Sequence, residues 1–221
     1  MKPLLITIDG PSGAGKTTTS RLLADRLGYR YIDTGALYRG VALAAISTGL
    51  TPDDDTALEK LCGTLKMEFM PGEKGLLLIS NGSDVTDQIR TPEISMFASA
   101  VSARPVVRHF LLDLQRRLGQ EKKAVFEGRD MGTVVFPDAD VKFFLDASPK
   151  IRALRRYKEI KSVSSQTLDA VERDMRRRDE NDSTRNLAPL KPAEDAIRID
   201  STDFSIEAVV DRMLTVIENM V

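Results

Sequence analysis

Residues Gly10-Pro11-Ser12-Gly13-Ala14-Gly15-Lys16-Thr17 match G-x-x-x-x-G-K-[ST] at every fixed position, and no other feature constrains this chain as tightly. Before the octad, Leu4 to Ile8 is a short apolar run ending at Asp9-Gly10, the pattern of a strand buried on both faces. After it, Gly15 to Leu27 reads as a helix with Leu22, Leu23 and Leu27 on one side and Gly28 as terminator. Glycines between such a strand and helix let the backbone curl until successive N–H groups converge on phosphate oxygens. The start of the helix adds the positive end of its dipole. Lys16 is then placed to reach the β- and γ-phosphates of a nucleoside triphosphate, and Thr17 to ligate Mg²⁺. Residues Gly10 to Thr17, together with Thr18, are the expected donor-binding set.

Strand and helix patterns continue to alternate. Tyr29 to Ile32 reads as a second strand before Asp33-Thr34-Gly35, and Leu37 to Ile46 as a second apolar helix. Ala124 to Glu127, Val141 to Leu145 and Ala196 to Ile199 are further buried-strand candidates. This order predicts an α/β fold, a parallel five-stranded sheet with helices on both faces. Lys66 to Met70, Leu76 to Ser80 and Asp84 to Thr86 interrupt it as an antiparallel meander, with turns at Pro71 to Gly75 and at Asn81-Gly82. A small α+β insert, approximately residues 61–104, is therefore expected within a single domain of residues 1–221. Thr91-Pro92-Glu93 and Pro105 open helices, and Ser205 caps a last one carrying Ile206, Val209, Val210, Met213, Leu214 and Ile217.

Composition serves mainly to exclude. One cysteine, Cys62, allows no internal disulfide, and one histidine, His109, allows no Cys/His zinc cluster. Cys62 reads as a small buried hydrophobe, and His109 lies in a helical stretch with no nucleophile motif to serve. No apolar run approaches the roughly 20 residues of a membrane helix, and Leu4 to Ile8 is too short for a signal peptide. The expectation is a cytoplasmic protein without membrane or nucleic-acid partners, and a monomer, since no helix presents an extra apolar face. The net charge is -1, yet Lys150 to Lys191 holds twelve Lys/Arg against seven Asp/Glu, or +5, leaving -6 elsewhere. Such a local cationic zone suits a small anionic ligand. A guanine-specific switch would carry N-K-x-D, and no Asn-Lys pair occurs.

Three polar clusters fall where strands are expected to end: Asp33-Thr34-Gly35 with Tyr38-Arg39, Glu127-Gly128-Arg129-Asp130, and Arg176 to Asp182 with Arg185. Any one alone would read as a solvated loop. Together, beside a phosphate loop, they read as an acceptor site.

The chain resembles the bacterial cytidylate kinases, the long form of that branch of the nucleoside monophosphate kinases within the P-loop fold. The likeness runs through Ile8 to Lys16, Asp33 to Arg39, Gly128-Arg129-Asp130-Met131-Gly132-Thr133-Val134-Val135-Phe136-Pro137, Phe144 to Ser148 and Leu187-Ala188-Pro189-Leu190. The resemblance implies transfer of the γ-phosphoryl of Mg-ATP to CMP, and to dCMP, giving ADP and the diphosphate. It places Thr34, Arg39, Ser99, Arg108, Arg129, Asp130, Arg178, Asp182 and Arg185 around the monophosphate. In that scheme Arg129 and Arg178 hold its phosphate, Ser99, Arg108 and Asp130 read cytosine, and Asp182, with Thr34 and Arg185, addresses the sugar. Two positions depart from the family pattern, Thr34 for serine and Glu127 for aspartate, and both keep the functional group.

Physical chemistry agrees with this scheme. Cytosine offers an amino donor where uracil offers a carbonyl, so a carboxylate such as Asp130 pairs with one and repels the other. An acceptor phosphate with a second pKa near ~6 is already dianionic and needs no general base. Catalysis then falls to Lys16, Arg129, Arg156 and Arg178, with Mg²⁺ on Thr17, as groups that align and neutralise two anions, and to Asp182, whose hold on the sugar positions the acceptor. Arg152, Arg155 and Arg156 follow the helix opening at Ser148-Pro149, and approximately residues 149–166 are expected to form a helical lid over ATP, with Arg155 on the donor. Glu172 and Arg176 have the spacing of an ordinary helical ion pair. The competing readings are a phosphate-loop kinase for UMP, AMP, shikimate or a coenzyme precursor, and a non-catalytic nucleotide sensor or RNA-binding regulator.

Overall fold

The computed structural model describes residues 2–73, 75–161 and 164–220. Lys74, in the expected meander turn, and Ser162 and Val163, in the expected lid, lie outside the described residues. The chain forms two compact units, Met1–Tyr31 with Glu121–Val221, and Ile32–Gln120.

In the first unit, β1 (Leu5–Asp9) is buried at all five positions, as a strand covered on both faces must be. The octad follows and passes into α1 (Lys16–Leu27), which Gly28 ends in the left-handed conformation at φ 65. The next strand, β2 (Arg30–Asp33), crosses the division between the units. In the second unit come α2 (Thr34–Ser47), α3 (Asp55–Thr64), β3 (Met67–Gly72), β4 (Gly75–Ser80), β5 (Ser83–Asp84), α4 (Pro92–Val101) and α5 (Pro105–Gly119). The chain returns to the first unit with β6 (Ala124–Gly128), β7 (Val141–Asp146), α6 (Pro149–Ile160), α7 (Leu168–Thr184), β8 (Ile197–Asp200) and α8 (Ile206–Met220).

The large sheet has five strands in the order β2-β6-β1-β7-β8 and is parallel, as the alternation predicted. Its register sets Asp9 beside Gly128 on one flank and beside Phe144 on the other, so the octad leaves the sheet next to the end of β6. Ile6 and Ile8 pack with Leu23, Phe143 and Leu145, and α8 covers them with Val210, Met213 and Ile217. That apolar stripe at helical spacing is what docks α8. No helix among the described residues is long and apolar enough to cross a membrane.

In the second unit, Leu37 and Val41 of α2 pack with Leu58, Leu78, Val107 and Leu111, and Cys62 is buried in the same core. The meander is present as the sheet β3-β4-β5. Its last strand is shorter than expected, because Asp84 accepts both the N–H (2.9 Å) and the hydroxyl (2.6 Å) of Thr86 and curls the chain there. Helix α3 carries no strong sequence signal. It is fixed by Asp54, which accepts from Ala57 N–H at 3.0 Å, and by a two-pronged pair between Asp55 and Arg104 at 2.6 Å.

Candidate active site

The phosphate loop owes its shape to contacts from outside it. At Gly10 (φ 149) a Cβ would stand 1.9 Å from the Leu145 carbonyl oxygen, so only glycine lets the chain leave β1 beside β7. Ser12 is held from both sides: its N–H donates to Asp179 at 3.3 Å and its carbonyl accepts from Arg152 at 3.0 Å. Arg152 and Asp179 pair directly, and Arg152 Nε also donates to the Ala147 carbonyl at 2.9 Å. Arg152, read from the sequence as a lid arginine, is thus a buried strut under the loop. The Ala14 carbonyl accepts from Ser201 Oγ at 3.0 Å, and Arg155 grips that serine through its Oγ (3.0 Å) and its carbonyl (2.7 Å). Replacing Gly10 by alanine is expected to cost several kcal/mol and lower the thermal midpoint by about 10 °C. A calorimetric scan checks it, and an unchanged midpoint would show that the close approach is not rigid.

Lys16 is buried, with Nζ donating to the Pro11 carbonyl at 2.7 Å. Burial pushes its pKa down from 10.5 to about 7, and repulsion from Arg129 and Arg178 adds to this against the pull of Glu127 and Asp9. A cation short of counter-charge at the mouth of such a loop is what a phosphate would relieve.

Next to it, Arg129 Nε donates to Asp182 at 2.9 Å. Arg178, Asp182 and Arg185 recur at i, i+4 and i+7, so α7 and its C-cap present them on one face. This corrects the expectation that Arg176 to Asp182 is a strand-end loop: the segment lies inside a helix capped by Thr167, which accepts from Ala170 N–H at 3.3 Å. Arg185 reaches Asp130 at 3.5 Å and Asp182 at 3.8 Å, and its Nε donates to the Ala188 carbonyl at 2.8 Å. Burial pushes the Asp182 carboxyl up, but Arg129, Arg178 and Arg185 outweigh it and hold the group below the usual carboxylate range. Arg156, half-exposed, pairs with Glu159 at 3.1 Å, and Glu172 with Arg176 at 2.7 Å.

The expected acceptor residues of the second unit have their own arrangement. Asp33 caps α2 by accepting from Ala36 N–H at 3.1 Å and binds Arg39 at 2.7 Å. Thr34 is buried, and Arg108 stacks over the Tyr38 ring at 5.8 Å while donating to the Ser102 carbonyl at 3.1 Å. Arg39 Nε and Ser99 Oγ are buried with no hydrogen-bond partner among the described residues. A bound polar ligand would satisfy atoms of that kind.

Three further residues shape the site in roles that the sequence did not assign to them. Asp9 accepts from the N–H groups of Met131 (2.9 Å) and Gly132 (2.8 Å), pinning the wide helical turn Met131–Val135 that follows Arg129 and Asp130. Burial lifts the Asp9 pKa to about 6 despite those two donors. Its one visible signal was position, a carboxylate closing an otherwise apolar strand. Asp179 is the strut already described. Glu127 accepts from the Thr17 hydroxyl at 2.9 Å and from Tyr31 at 2.5 Å, giving an all-oxygen pair of the type that suits Mg²⁺.

A parallel sheet, a lysine-bearing phosphate loop and an arginine–carboxylate face beside it define a phosphate-loop phosphotransferase. The cytidylate kinase family model matches residues 6–219, so the chain belongs to the cytidylate kinase family. It is 54% identical over 215 residues to the cytidylate kinase of Geobacter sulfurreducens, covering 97% of this chain and 92% of the relative. It is 49% identical over 217 residues to that of Syntrophotalea carbinolica, covering 98% and 92%. Among solved structures, shikimate kinase from Acinetobacter baumannii, in complex with shikimate, aligns with a TM-score of 0.50 at 17% identity, covering 99% of this chain and 94% of the other. That last likeness concerns the fold.

Proposed function

We infer that the protein transfers the γ-phosphoryl group of ATP to CMP, and to dCMP, releasing ADP and the nucleoside diphosphate. The observation that carries this reading is buried Lys16, its pKa depressed to about 7 with Arg129 and Arg178 around it, at the phosphate loop of a cytidylate kinase family member. Three cations around one point suit two anionic phosphates that must be brought together. No general base is required, because the acceptor phosphate is already ionised at neutral pH.

The reading assigns the acceptor phosphate to Arg129 and Arg178, the sugar to Asp182 with Arg185 and Thr34, and the base to Asp130 with Ser99 and Arg108. Arg39 belongs to the same acceptor set. Thr17, backed by Glu127, would hold Mg²⁺, which when bound supplies positive charge to the donor phosphates. Lys16 neutralises charge on the transferring group, and Arg152 with Asp179 keeps the loop in shape. Residues 61–104 are proposed as the acceptor-binding insert and 149–166 as a lid that excludes water. A cytoplasmic monomer is the proposed setting.

In this scheme Arg156→Ala lowers turnover by about 10²-fold while leaving CMP affinity nearly unchanged. Steady-state kinetics with varied CMP checks this, and an unaltered turnover would remove Arg156 from the lid's role.

The direct test is ADP release with Mg-ATP and, in turn, CMP, dCMP, UMP, AMP or no acceptor. Turnover confined mainly to CMP and dCMP is the expected result. ATP binding without acceptor-dependent release would favour a nucleotide sensor, and turnover centred on UMP or AMP would reassign the acceptor.

A further inference from the structure

We propose that Tyr31 is a positioning residue for the metal side of the donor site, acting through Glu127 on the hydroxyl of Thr17; this rests on the reading of the loop as a Mg-nucleotide site. A threonine hydroxyl carries one proton and two lone pairs. At Thr17 the proton goes to Glu127 Oε1, 2.9 Å away, which turns the lone pairs outward, where a hard cation can use them. The direction of that hydroxyl is therefore only as fixed as the carboxylate that receives its proton.

Glu127, the last residue but one of β6, carries its carboxylate on a side chain with three rotatable bonds, so the direction of that carboxylate is set by the groups that reach it. Tyr31, from the neighbouring strand β2, donates its phenol proton to Glu127 Oε2 at 2.5 Å, in the range of strong hydrogen bonds to a charged oxygen. Tyr31 is itself held, since the Arg21 guanidinium lies over its ring, 5.3 Å from the centroid. Arg21 stands one turn after Thr17 on α1, on the same helical face. The contacts thus close a circuit from Thr17 through Glu127, Tyr31 and Arg21 back to the helix that carries Thr17. Groups that orient a metal ligand from behind typically matter 10- to 100-fold for metal affinity.

The test uses the full-length protein saturated with ADP and measures the dissociation constant of Mn²⁺ by the paramagnetic relaxation of water protons. Tyr31→Phe keeps the ring under Arg21 and removes only the hydroxyl. It is expected to weaken Mn²⁺ binding about 10-fold while metal-free ADP affinity and the thermal midpoint stay unchanged. In a Glu127→Ala background the same substitution is expected to add no further loss, because its route to Thr17 has gone. Equal Mn²⁺ affinity in wild type and Tyr31→Phe would overturn the assignment of Tyr31 alone, as would equal losses in both backgrounds. A wild-type ADP complex that holds no Mn²⁺ would overturn the donor-site reading along with it.

Discussion

Lys16→Met is expected to lower turnover about 10³-fold and, in the same variant, to raise the stability of the free protein. The first effect follows from removing the buried cation at the phosphate loop, where low polarity magnifies its value to a charge-spreading transition state. The second follows from the cost of holding that cation without phosphate. Its pKa falls from 10.5 to about 7 on folding, so between those pH values the unfolded chain binds a proton that the folded one does not. Stability therefore rises with pH across that window, and below pH 7 the penalty is complete, on the order of a few kcal/mol. Methionine removes the penalty. Thermal melts at neutral and at alkaline pH check both parts: the variant should melt higher at pH 7 and lose the wild type's gain on raising the pH. A variant less stable than wild type at pH 7 would mean that the Lys16–Pro11 hydrogen bond outweighs the buried charge.

Asp130→Ala carries the second large effect, on selectivity. Asp130 is 2% exposed, directly after Arg129, and the side chain of its partner Arg185 is 6% exposed. A buried acceptor that pairs with an amino group rejects the analogue lacking that group by as much as ~10⁴-fold. Its removal is expected to lower kcat/KM for CMP by about 10³-fold and for UMP far less, narrowing the gap between them. Asp130→Asn, which keeps the volume, guards against misfolding as the cause and should narrow the same gap. A CMP preference that survives both changes would place base recognition elsewhere.

The parts of the fold that were legible in the sequence are those whose burial is local. β1, β6 and β7 are mostly apolar and almost wholly buried, and the octad lies between a strand and a helix as its motif demands. α7 was legible only in the helical spacing of Glu172 and Arg176, because it is mostly charged: its apolar contacts are a thin stripe, Val171 and Met175, resting on Ala153 and Ile160 of α6. The acceptor residues could be named by resemblance, whereas the groups that hold them could not. The turn after Asp130 is pinned by Asp9 from 122 positions away, and Glu127 by Tyr31 across 96. Nothing in local patterning announces contacts at that separation. Arg152 shows the opposite limit, since an arginine read as part of a lid over ATP is buried beneath the loop because Asp179 and two carbonyls satisfy its guanidinium.

The central claim is transfer of a phosphoryl group to a cytidine monophosphate, and the most direct measurement follows the group itself. ATP labelled in its γ-phosphoryl is incubated with the protein, Mg²⁺ and CMP, and the nucleotides are separated. Label in the β-phosphate of CDP, formed in step with ADP, is the predicted result. Label released only as inorganic phosphate, or retained in ATP while CMP is present, would contradict the account.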